Sequence, residues 1–231
     1  MCGRKTLTRD IQSIIQELAI NKWVDPDNYS LSYNIAPTQR SPILIFENSQ
    51  RVVKQMQWGL IPKWSKDQTI GSKLINARSE SLKNKPSFKN LLEKNRCIVI
   101  TDGYYEWRSS GGEKHPYYFH HPQNHLLLMA GLWSYWTPSE KSKILNYTII
   151  TTQAKKDLAH IHDRMPVILD PCSIMTWIDI ESHCFNDTID ILRTYPHPLM
   201  VHPVSQRVNS TRNNSSDCIK SIHDISTLDL F

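Results

Sequence analysis

The spacing of apolar residues changes along the chain, from helical near the start to strand-like in the middle. Apolar side chains recur at helical spacing over residues 11–19, directly after Thr8, which can serve as the N-cap of a helix of about three turns. Four more short helices are predicted over residues 86–95, 154–160, 171–178 and 187–193.

The middle of the chain favours strands, because its β-branched and aromatic runs are bounded by turn-forming residues. Strands are predicted over residues 42–46, 52–58, 96–101, 104–107, 116–120, 126–135 and 145–152, with Ser109–Gly112 as a hairpin loop. No regular alternation of strand and helix and no internal repeat is present. We therefore expect one α+β domain, residues 2–214, whose sheet is mostly antiparallel and barrel-like with peripheral helices. Residues 209–217 are polar and loop-like, and residues 215–231 are predicted to form a C-terminal tail.

Composition places the chain among ordinary globular proteins. It has 231 residues, of which 39% are hydrophobic, and a formal net charge of +5. Its five cysteines are odd in number and form no CxxC pair, which predicts reduced thiols in an intracellular compartment. No signal peptide is expected, and the longest apolar run, Leu126–Trp133, is too short to span a bilayer.

The positive charge is concentrated between Lys63 and Arg96. This segment contains nine basic residues and three acidic ones, whereas the rest of the chain is almost neutral. Trp64 and Phe88 lie within it and Trp58 just before it. Interleaved cations and aromatics are typical of a surface that contacts phosphates and stacks on bases. A solvated basic helix face is the alternative on charge alone.

Cys2 becomes the N-terminal residue if Met1 is removed, which small second residues generally permit. It then carries an α-amine and a thiol on adjacent carbons. Such an amine has a pKa near ~7.7, so much of it is the free base at neutral pH, unlike a lysine amine near ~10.4. The amine can attack an aldehyde, and the thiol can trap the resulting imine by closing a five-membered thiazolidine. By itself, a cysteine at position 2 is weak evidence for catalysis.

Three further polar residues lie in apolar settings. Asn76 follows the basic, Trp-containing loop; Glu106 is flanked by Tyr105 and Trp107; and His162 precedes an apolar strand. An apolar environment raises a carboxyl pKa and suits Glu106 to general acid–base catalysis. Structural roles remain open for all three: Asn76 as a turn residue, Glu106 on the solvent face of an edge strand and His162 as a helix C-cap.

Seven motifs together resemble the SOS-response-associated peptidase (SRAP) family over positions 2 to about 214. They are Met1–Arg4, Tyr33–Thr38, Trp58–Pro62, Ile75–Glu80, Asp102–Trp107, His162–Pro166 and His202–Ser205. The resemblance implies a β-rich α+β domain with a positively charged DNA groove and the N-terminal cysteine at its floor. It also implies that the protein recognises abasic sites in single-stranded or junction DNA and becomes covalently attached to them, which protects the lesion from strand cleavage.

The resemblance implies four catalytic residues. Cys2 would form the thiazolidine and Asn76 would hold its amine or thiol by hydrogen bonds. Glu106 would assist opening of the abasic sugar to its aldehyde, and His162 would shuttle protons to the sugar oxygens. The enzyme classes it implies are DNA–protein crosslinking, thiol peptidase activity confined to release of Met1, and a lyase activity. No cofactor or metal is expected.

The DNA contacts expected from the resemblance are Arg4, Arg78, Lys83 and Lys85 on phosphates, with Trp64 stacking on a base or a duplex end. Trp58 and Cys97 are predicted to be core residues. Residues 208–214 resemble the eukaryotic branch of the family, which favours nucleus or cytoplasm. A monomer is expected, and Ser226–Phe231 faintly resembles a replication-clamp-binding tail, for which docking on its own domain is the favoured alternative.

Other classes of protein remain open. A class II glutamine amidotransferase or other thiol hydrolase also uses an N-terminal cysteine, but neither glutamine-binding motifs nor an acceptor domain are visible. A non-catalytic module that reads modified DNA would not need Cys2. A zinc site at Cys172, His183 and Cys184 has little support, because no second clustered pair of ligands is present.

Overall fold

Thirteen strands and two short α-helices build the part of the chain that the computed structural model describes, residues 2–138 and 143–222. The strands are β1 Arg4–Leu7, β2 Lys22–Trp23, β3 Ser32–Ile35, β4 Arg40–Glu47, β5 Gln50–Trp58, β6 Asn76–Arg78, β7 Arg96–Thr101, β8 Gly103–Ser110, β9 Glu113–His120, β10 Leu127–Trp136, β11 Ile144–Gln153, β12 Arg164–Pro166 and β13 Met200–Pro203. The helices are α1 Ile11–Leu18 and α2 Ile174–Ile178, joined by several 3₁₀ turns.

Five of these strands close into a barrel. The order β11–β10–β7–β4–β5 is antiparallel throughout, and β5 then pairs with β11 in parallel, which completes the circle. A second sheet has the order β13–β9–β8–β1–β3. Closure of a sheet removes exposed edge strands and encloses a core. The expected α+β class with a mostly antiparallel, barrel-like sheet is confirmed.

The barrel strands supply most of the buried apolar side chains. Residues 97–100 in β7 are all fully buried, including Cys97, as expected for a strand covered on both faces. Trp58 is also fully buried; its Nε1 donates to the Ile75 carbonyl at 2.9 Å, and its ring stacks on Tyr147. The predicted core roles of Trp58 and Cys97 are therefore confirmed.

The helix predictions succeeded in part. The first helix is present, but its N-cap is Asp10, whose carboxylate accepts from the Ser13 N–H at 2.9 Å, so the assignment to Thr8 was wrong. The predicted helix at 171–178 is a 3₁₀ turn followed by α2, and Phe185–Ile191 is a 3₁₀ helix where 187–193 was expected. Residues 86–95 form only turns and a short 3₁₀ segment, and residues 154–160 form turns.

The strands that sequence patterns missed are short. Strands β1, β3, β6, β12 and β13 have three or four residues each, which is too few to show a period of two. Their backbones are ordered by pairing with longer strands distant in sequence, as β6 is with β11. Two of these short strands, β1 and β6, turn out to position the candidate site.

Arg96, counted above with the basic surface segment, is a core residue. Its side chain is 1% exposed, and its guanidinium donates to the carbonyls of Trp177, Leu92, His183 and Asp179 at 2.5, 3.2, 2.5 and 3.4 Å. A guanidinium satisfied by four carbonyls ties β7 to the segment after α2. The other eight basic residues between 63 and 94 are exposed.

The end of the described chain stays in contact with the domain. Cys218 is 1% exposed and packs with Tyr105, Tyr118 and Val208, and Ser221 bridges Val204. Residues 215–221, which the sequence analysis placed in the tail, therefore pack on the second sheet. The tail from 223 onward, with the clamp-like segment Ser226–Phe231, lies outside the described residues.

No helix among the described residues is long and apolar enough to cross a membrane.

Position 59 requires a glycine, both because of its backbone conformation and because the backbone of Gly71 lies close to it. Its φ is +121°, and a Cβ there would lie 2.5 Å from the carbonyl oxygen of Gly71. We expect Gly59→Ala to lower the free energy of unfolding by about 3 kcal/mol, because strain and a backbone clash act together. The matched control is Gly111→Ala: φ is +60° but nothing lies within 4 Å, so strain alone should cost about 1 kcal/mol. Urea denaturation measures both values, and equal losses would contradict the clash.

Candidate active site

Cys2, the first residue of the candidate site, lies two residues before β1. Strand β1 is held between β8 and β3, and only Gly3 separates Cys2 from it, so pairing of β1 on both sides restricts the position of Cys2. The Cys2 side chain is completely buried, and its Sγ is 3.9 Å from the Arg4 carbonyl oxygen. Burial raises the pKa of the thiol well above its usual value, and the charge of Glu106 raises it further. The thiol is therefore protonated at neutral pH unless another group stabilises the thiolate.

Asn76 contacts Cys2 from a strand of the other sheet. It begins β6, which pairs in parallel with β11 at Ile149, and its Nδ2 donates to the Cys2 carbonyl at 2.8 Å. Its Oδ1 is buried and accepts no hydrogen bond from the described residues. A buried acceptor is costly to leave unsatisfied. The amide therefore offers an acceptor beside Cys2 that suits a donor such as an α-amine.

Glu106 approaches the same region from β8, where it pairs with Tyr117 of β9. It is 3% exposed, and burial raises the pKa of its carboxyl from 4.5 to about 7. The apolar residues that line the cavity of Glu106 include Tyr104 and Phe119, whereas the flanking Tyr105 and Trp107 pack in a separate cluster on the other face of β8. A carboxyl with a pKa near neutrality populates both its acid and its base form under physiological conditions.

His162 shares a small cavity with Glu106, whose lining includes Tyr104, Phe119 and Arg164. The His162 Nδ1 accepts the Arg164 N–H at 3.0 Å and also lies 2.9 Å from the Asp163 Oδ1, so two nearby residues of the same motif fix the orientation of the ring. Burial lowers the pKa of His162, so the neutral form dominates at pH 7. A neutral imidazole and a carboxyl with a raised pKa are therefore placed together.

An ion pair that the sequence analysis missed joins two of the motifs. Both Arg164 guanidinium nitrogens reach Glu80, at 2.7 and 3.0 Å, and Nη2 also donates to the Thr151 carbonyl at 2.6 Å. This bidentate pair fixes the segment after Asn76 against the strand that follows His162. Each motif contributes one charge of the pair, but nothing local in the sequence joins Glu80 to Arg164.

Asp102 fixes the turn that leads into β8. Its carboxylate accepts hydrogen bonds from the Thr6 hydroxyl and, at 2.5 and 2.7 Å, from the backbone N–H and hydroxyl of Thr8. Thr6 lies in β1, and Thr8 is the first residue after that strand. The aspartate therefore aligns β8, which carries Glu106, with β1, which begins two residues after Cys2.

The four cations that are expected to contact DNA differ in their exposure and in their hydrogen bonds. Arg78, at the end of β6, and Lys83 and Lys85 in the following turns are exposed. Trp64 is 63% exposed in the loop after Pro62. The Arg4 guanidinium instead donates to the Asn34 side chain at 2.6 Å and to backbone carbonyls near residue 208, which leaves it fewer N–H groups for a phosphate.

Among the described residues no group of three or more His, Cys, Asp or Glu side chains is arranged to hold a metal ion. All five cysteines are free, and Cys172 and Cys184 are exposed.

Together, the fold and the candidate site define a class: a β-barrel protein with a buried cysteine at its candidate active site. Beside a closed β-barrel flanked by a second sheet, Asn76 contacts the buried Cys2, the charge of Glu106 acts on the Cys2 thiol, and Glu106 shares a cavity with His162. Exposed cations and a tryptophan come from the segment that follows the barrel strand β5.

The chain belongs to the SOS response associated peptidase (SRAP) family, which it matches over residues 1–211. It is 38% identical to the abasic site processing protein YoqW of Bacillus subtilis, over 96% of this chain and 100% of that protein. It is 35% identical to the abasic site processing protein HMCES of Gallus gallus, over 87% of this chain and 69% of that protein. These two identities are similar, so they give little support to the expected closer relationship with the eukaryotic branch of the family.

The fold is similar to a solved structure from Bacteroides thetaiotaomicron. The TM-score is 0.84 at 24% identity, and the match covers 95% of this chain and 99% of the other. This likeness supports the architecture alone.

Proposed function

We propose that this protein processes abasic sites in DNA by forming a covalent crosslink through Cys2 after removal of Met1. Two relatives that match nearly all or most of this chain are named as abasic site processing proteins. The hydrogen bond from Asn76 to Cys2 carries the proposal, because it puts a buried, unsatisfied acceptor beside the residue whose amine would react.

The first step opens the sugar. An abasic deoxyribose is mostly a closed hemiacetal, so a base must remove the proton of its C1′ hydroxyl while an acid protonates O4′. Glu106, with a pKa raised by burial to about 7, can take the first proton, and the neutral His162 can relay a proton to O4′. The product is the open-chain aldehyde.

The second step forms the crosslink. The Cys2 amine adds to C1′ of the aldehyde, and loss of water gives an iminium. The Sγ electron pair then forms a bond to C1′, and the electron pair of the C=N bond returns to nitrogen. One aldehyde, one amine and one thiol thus yield one thiazolidine and one water. The adduct lacks the aldehyde that promotes β-elimination, so it protects the strand from scission.

The DNA strand is expected to follow the exposed cations. Arg78 lies two residues after Asn76, so a phosphate bound there would flank the reacting sugar. Lys83 and Lys85 extend the positive surface, and Trp64 offers a face on which a base or duplex end can stack. Arg4 would contribute through the part of its guanidinium not used by Asn34.

The test is incubation with single-stranded oligonucleotides that contain an intact base, an abasic site, or an abasic site reduced with borohydride. We expect a band that resists heat and denaturant only with the unreduced abasic site, and a mass equal to the sum of protein and DNA minus water. Equal binding to all three without a covalent band would favour a non-catalytic DNA-binding module. Ammonia release from glutamine would favour an amidotransferase.

Peptidase activity would be limited to release of Met1, so cleavage of unrelated peptides that depends on Cys2 would contradict it. Lyase activity, a monomeric state, a replication clamp as partner and a nuclear or cytoplasmic location stay predictions.

A further inference from the structure

Tyr104 carries a buried hydroxyl that the steps above do not use. The residue is 1% exposed, and its hydroxyl makes no hydrogen bond with the described residues. A buried polar group without a partner costs stability, so most buried hydroxyls in proteins are hydrogen-bonded. A hydroxyl kept without a partner at this position therefore calls for a functional explanation.

The Tyr104 side chain lines the small cavity that Glu106 and His162 share. Tyr104 and Glu106 are two residues apart in β8, so they lie on the same face of the strand, and Tyr105 lies on the other face. The Tyr104 ring stacks on Phe119 with the ring centroids 4.7 Å apart, which restricts its orientation. A phenol, a carboxyl and an imidazole thus border one space.

A second buried donor borders the same cavity. Arg164 lines it, and the Arg164 Nε–H is buried without an acceptor among the described residues. The two Nη atoms bond to Glu80 and Thr151, so the guanidinium is held in place. Two buried donors at one cavity favour an occupant that accepts two hydrogen bonds, as an oxygen with two lone pairs does.

The cavity has room for one oxygen atom. Its volume is about 10 Å³. This is close to the roughly 10–15 Å³ that a single water molecule needs. Arg4 of β1 lies opposite Tyr105 of β8 in an antiparallel pair, so the chain that leads back to Cys2 runs alongside the strand that leads on to Glu106. The cavity is therefore at the same end of β1 as Cys2.

We propose that this cavity is the subsite for the C1′ oxygen of the abasic sugar, to which Tyr104 and Arg164 donate hydrogen bonds. This inference rests on the proposed function, because the C1′ oxygen is the atom whose charge changes in that reaction. It is a carbonyl oxygen before the Cys2 amine adds, it becomes negatively charged during the addition, and it leaves as water. Fixed donors in a site that excludes solvent stabilise such a developing charge.

The protons and electrons balance without an external reagent. Addition of the amine forms the C–N bond while one electron pair of the C=O bond moves to the oxygen. The oxygen takes one proton from the nitrogen and one from the Glu106 carboxyl, and it departs as water while the nitrogen lone pair forms the C=N bond. Glu106 regains a proton from the Cys2 thiol on ring closure. Burial raises the pKa of Tyr104 well above its usual value, so its hydroxyl keeps its proton and acts as a donor throughout.

The decisive variant is Tyr104→Phe, which removes the hydroxyl and keeps the ring. We expect the single-turnover rate of crosslinking to fall about tenfold, which is less than is typical for loss of an oxyanion donor because Arg164 still donates. The melting temperature should be equal to or above that of the wild type, because the lost hydroxyl has no partner in the protein. An unchanged rate, or a slower rate together with a lower melting temperature, would overturn the proposal.

The matched control is Tyr105→Phe, the same substitution one residue further along β8. The Tyr105 hydroxyl donates to the Tyr33 carbonyl at 2.7 Å, on the other face of the strand. Tyr105→Phe should therefore lower the melting temperature and leave the crosslinking rate unchanged. A rate loss in Tyr105→Phe as large as that in Tyr104→Phe would contradict the assignment of the effect to the cavity.

Binding without reaction isolates the C1′ oxygen. A single-stranded oligonucleotide whose abasic site is reduced with borohydride carries a C1′ hydroxyl, whereas one with a tetrahydrofuran site lacks this oxygen, and neither can crosslink. The wild type should bind the reduced site about fivefold more tightly, as expected for one hydrogen bond between neutral groups. This preference should be lost in Tyr104→Phe.

The same preference in both proteins, as expected if the cavity holds only a water molecule, would overturn the role of Tyr104. If the wild type formed no conjugate with unreduced abasic DNA, the proposed function would fail, whereas the comparison of the two unreactive oligonucleotides tests the subsite separately.

Discussion

Replacement of Cys2 by alanine is expected to abolish the heat-stable DNA conjugate completely. Alanine also permits removal of Met1, so the variant keeps a free α-amine that can still form an imine with the abasic aldehyde. Without sulfur the ring cannot close, and the imine hydrolyses on denaturation. Borohydride should therefore trap a conjugate with Cys2→Ala, although none survives without it. Gel electrophoresis of samples with and without reduction measures both outcomes.

Two controls make this result specific. Cys172→Ala removes an exposed cysteine and should crosslink like the wild type. A chain that carries an uncleaved extension ahead of Cys2 keeps the thiol but has no free amine, so it should form no conjugate even with borohydride. A heat-stable conjugate of undiminished yield from Cys2→Ala, or from the extended chain, would contradict the mechanism.

Glu106→Gln is expected to have the second largest effect, a decrease of about 10² to 10³ in the single-turnover rate of crosslinking. This is the range typical of a lost general acid–base group, and glutamine keeps the size of the side chain while it cannot exchange a proton. Because burial raises the pKa of Glu106 to about 7, the wild-type rate should change with pH around that value. This dependence of the rate on pH should be absent from Glu106→Gln. Rates measured between pH 5 and 9 test this, with the exposed Glu113→Gln as control.

The same substitution should increase stability at high pH. A carboxyl whose pKa is raised in the folded state binds more protons there than in the unfolded chain between pH 4.5 and about 7. Its presence therefore lowers the free energy of unfolding as the pH rises through that window. Glu106→Gln should be more stable than the wild type at pH 8 and no more stable at pH 4. A variant that is slower and also less stable at pH 8 would indicate a structural defect instead.

The sequence predicted the long barrel strands well, because each has enough β-branched and aromatic residues to show its pattern. It predicted the helices less well. The turns at 154–160 have apolar residues at helical spacing, but their backbone hydrogen bonds are those of turns, as from Leu158 to Lys155. Tertiary contacts outweigh helix propensity in a segment this short.

The candidate site was predicted at the level of residue types and motifs. Cys2, Asn76, Glu106 and His162 come from four separate segments, and the structure brings Asn76 to Cys2 and Glu106 to His162. The Glu80–Arg164 pair was missed because no local pattern links residues so far apart in the chain. Arg96 was placed on the surface because charge alone does not report burial.

By itself, the sequence determined which reactive groups are present: a cysteine that becomes a β-aminothiol once Met1 is removed, a glutamate among aromatic residues and a basic segment. The covalent chemistry of these groups is a property of the residues and does not depend on the fold. The tertiary structure decided their protonation states and their neighbours. Burial raises the pKa of Cys2 and Glu106, because the folded chain removes water from charges that an unfolded chain would leave hydrated.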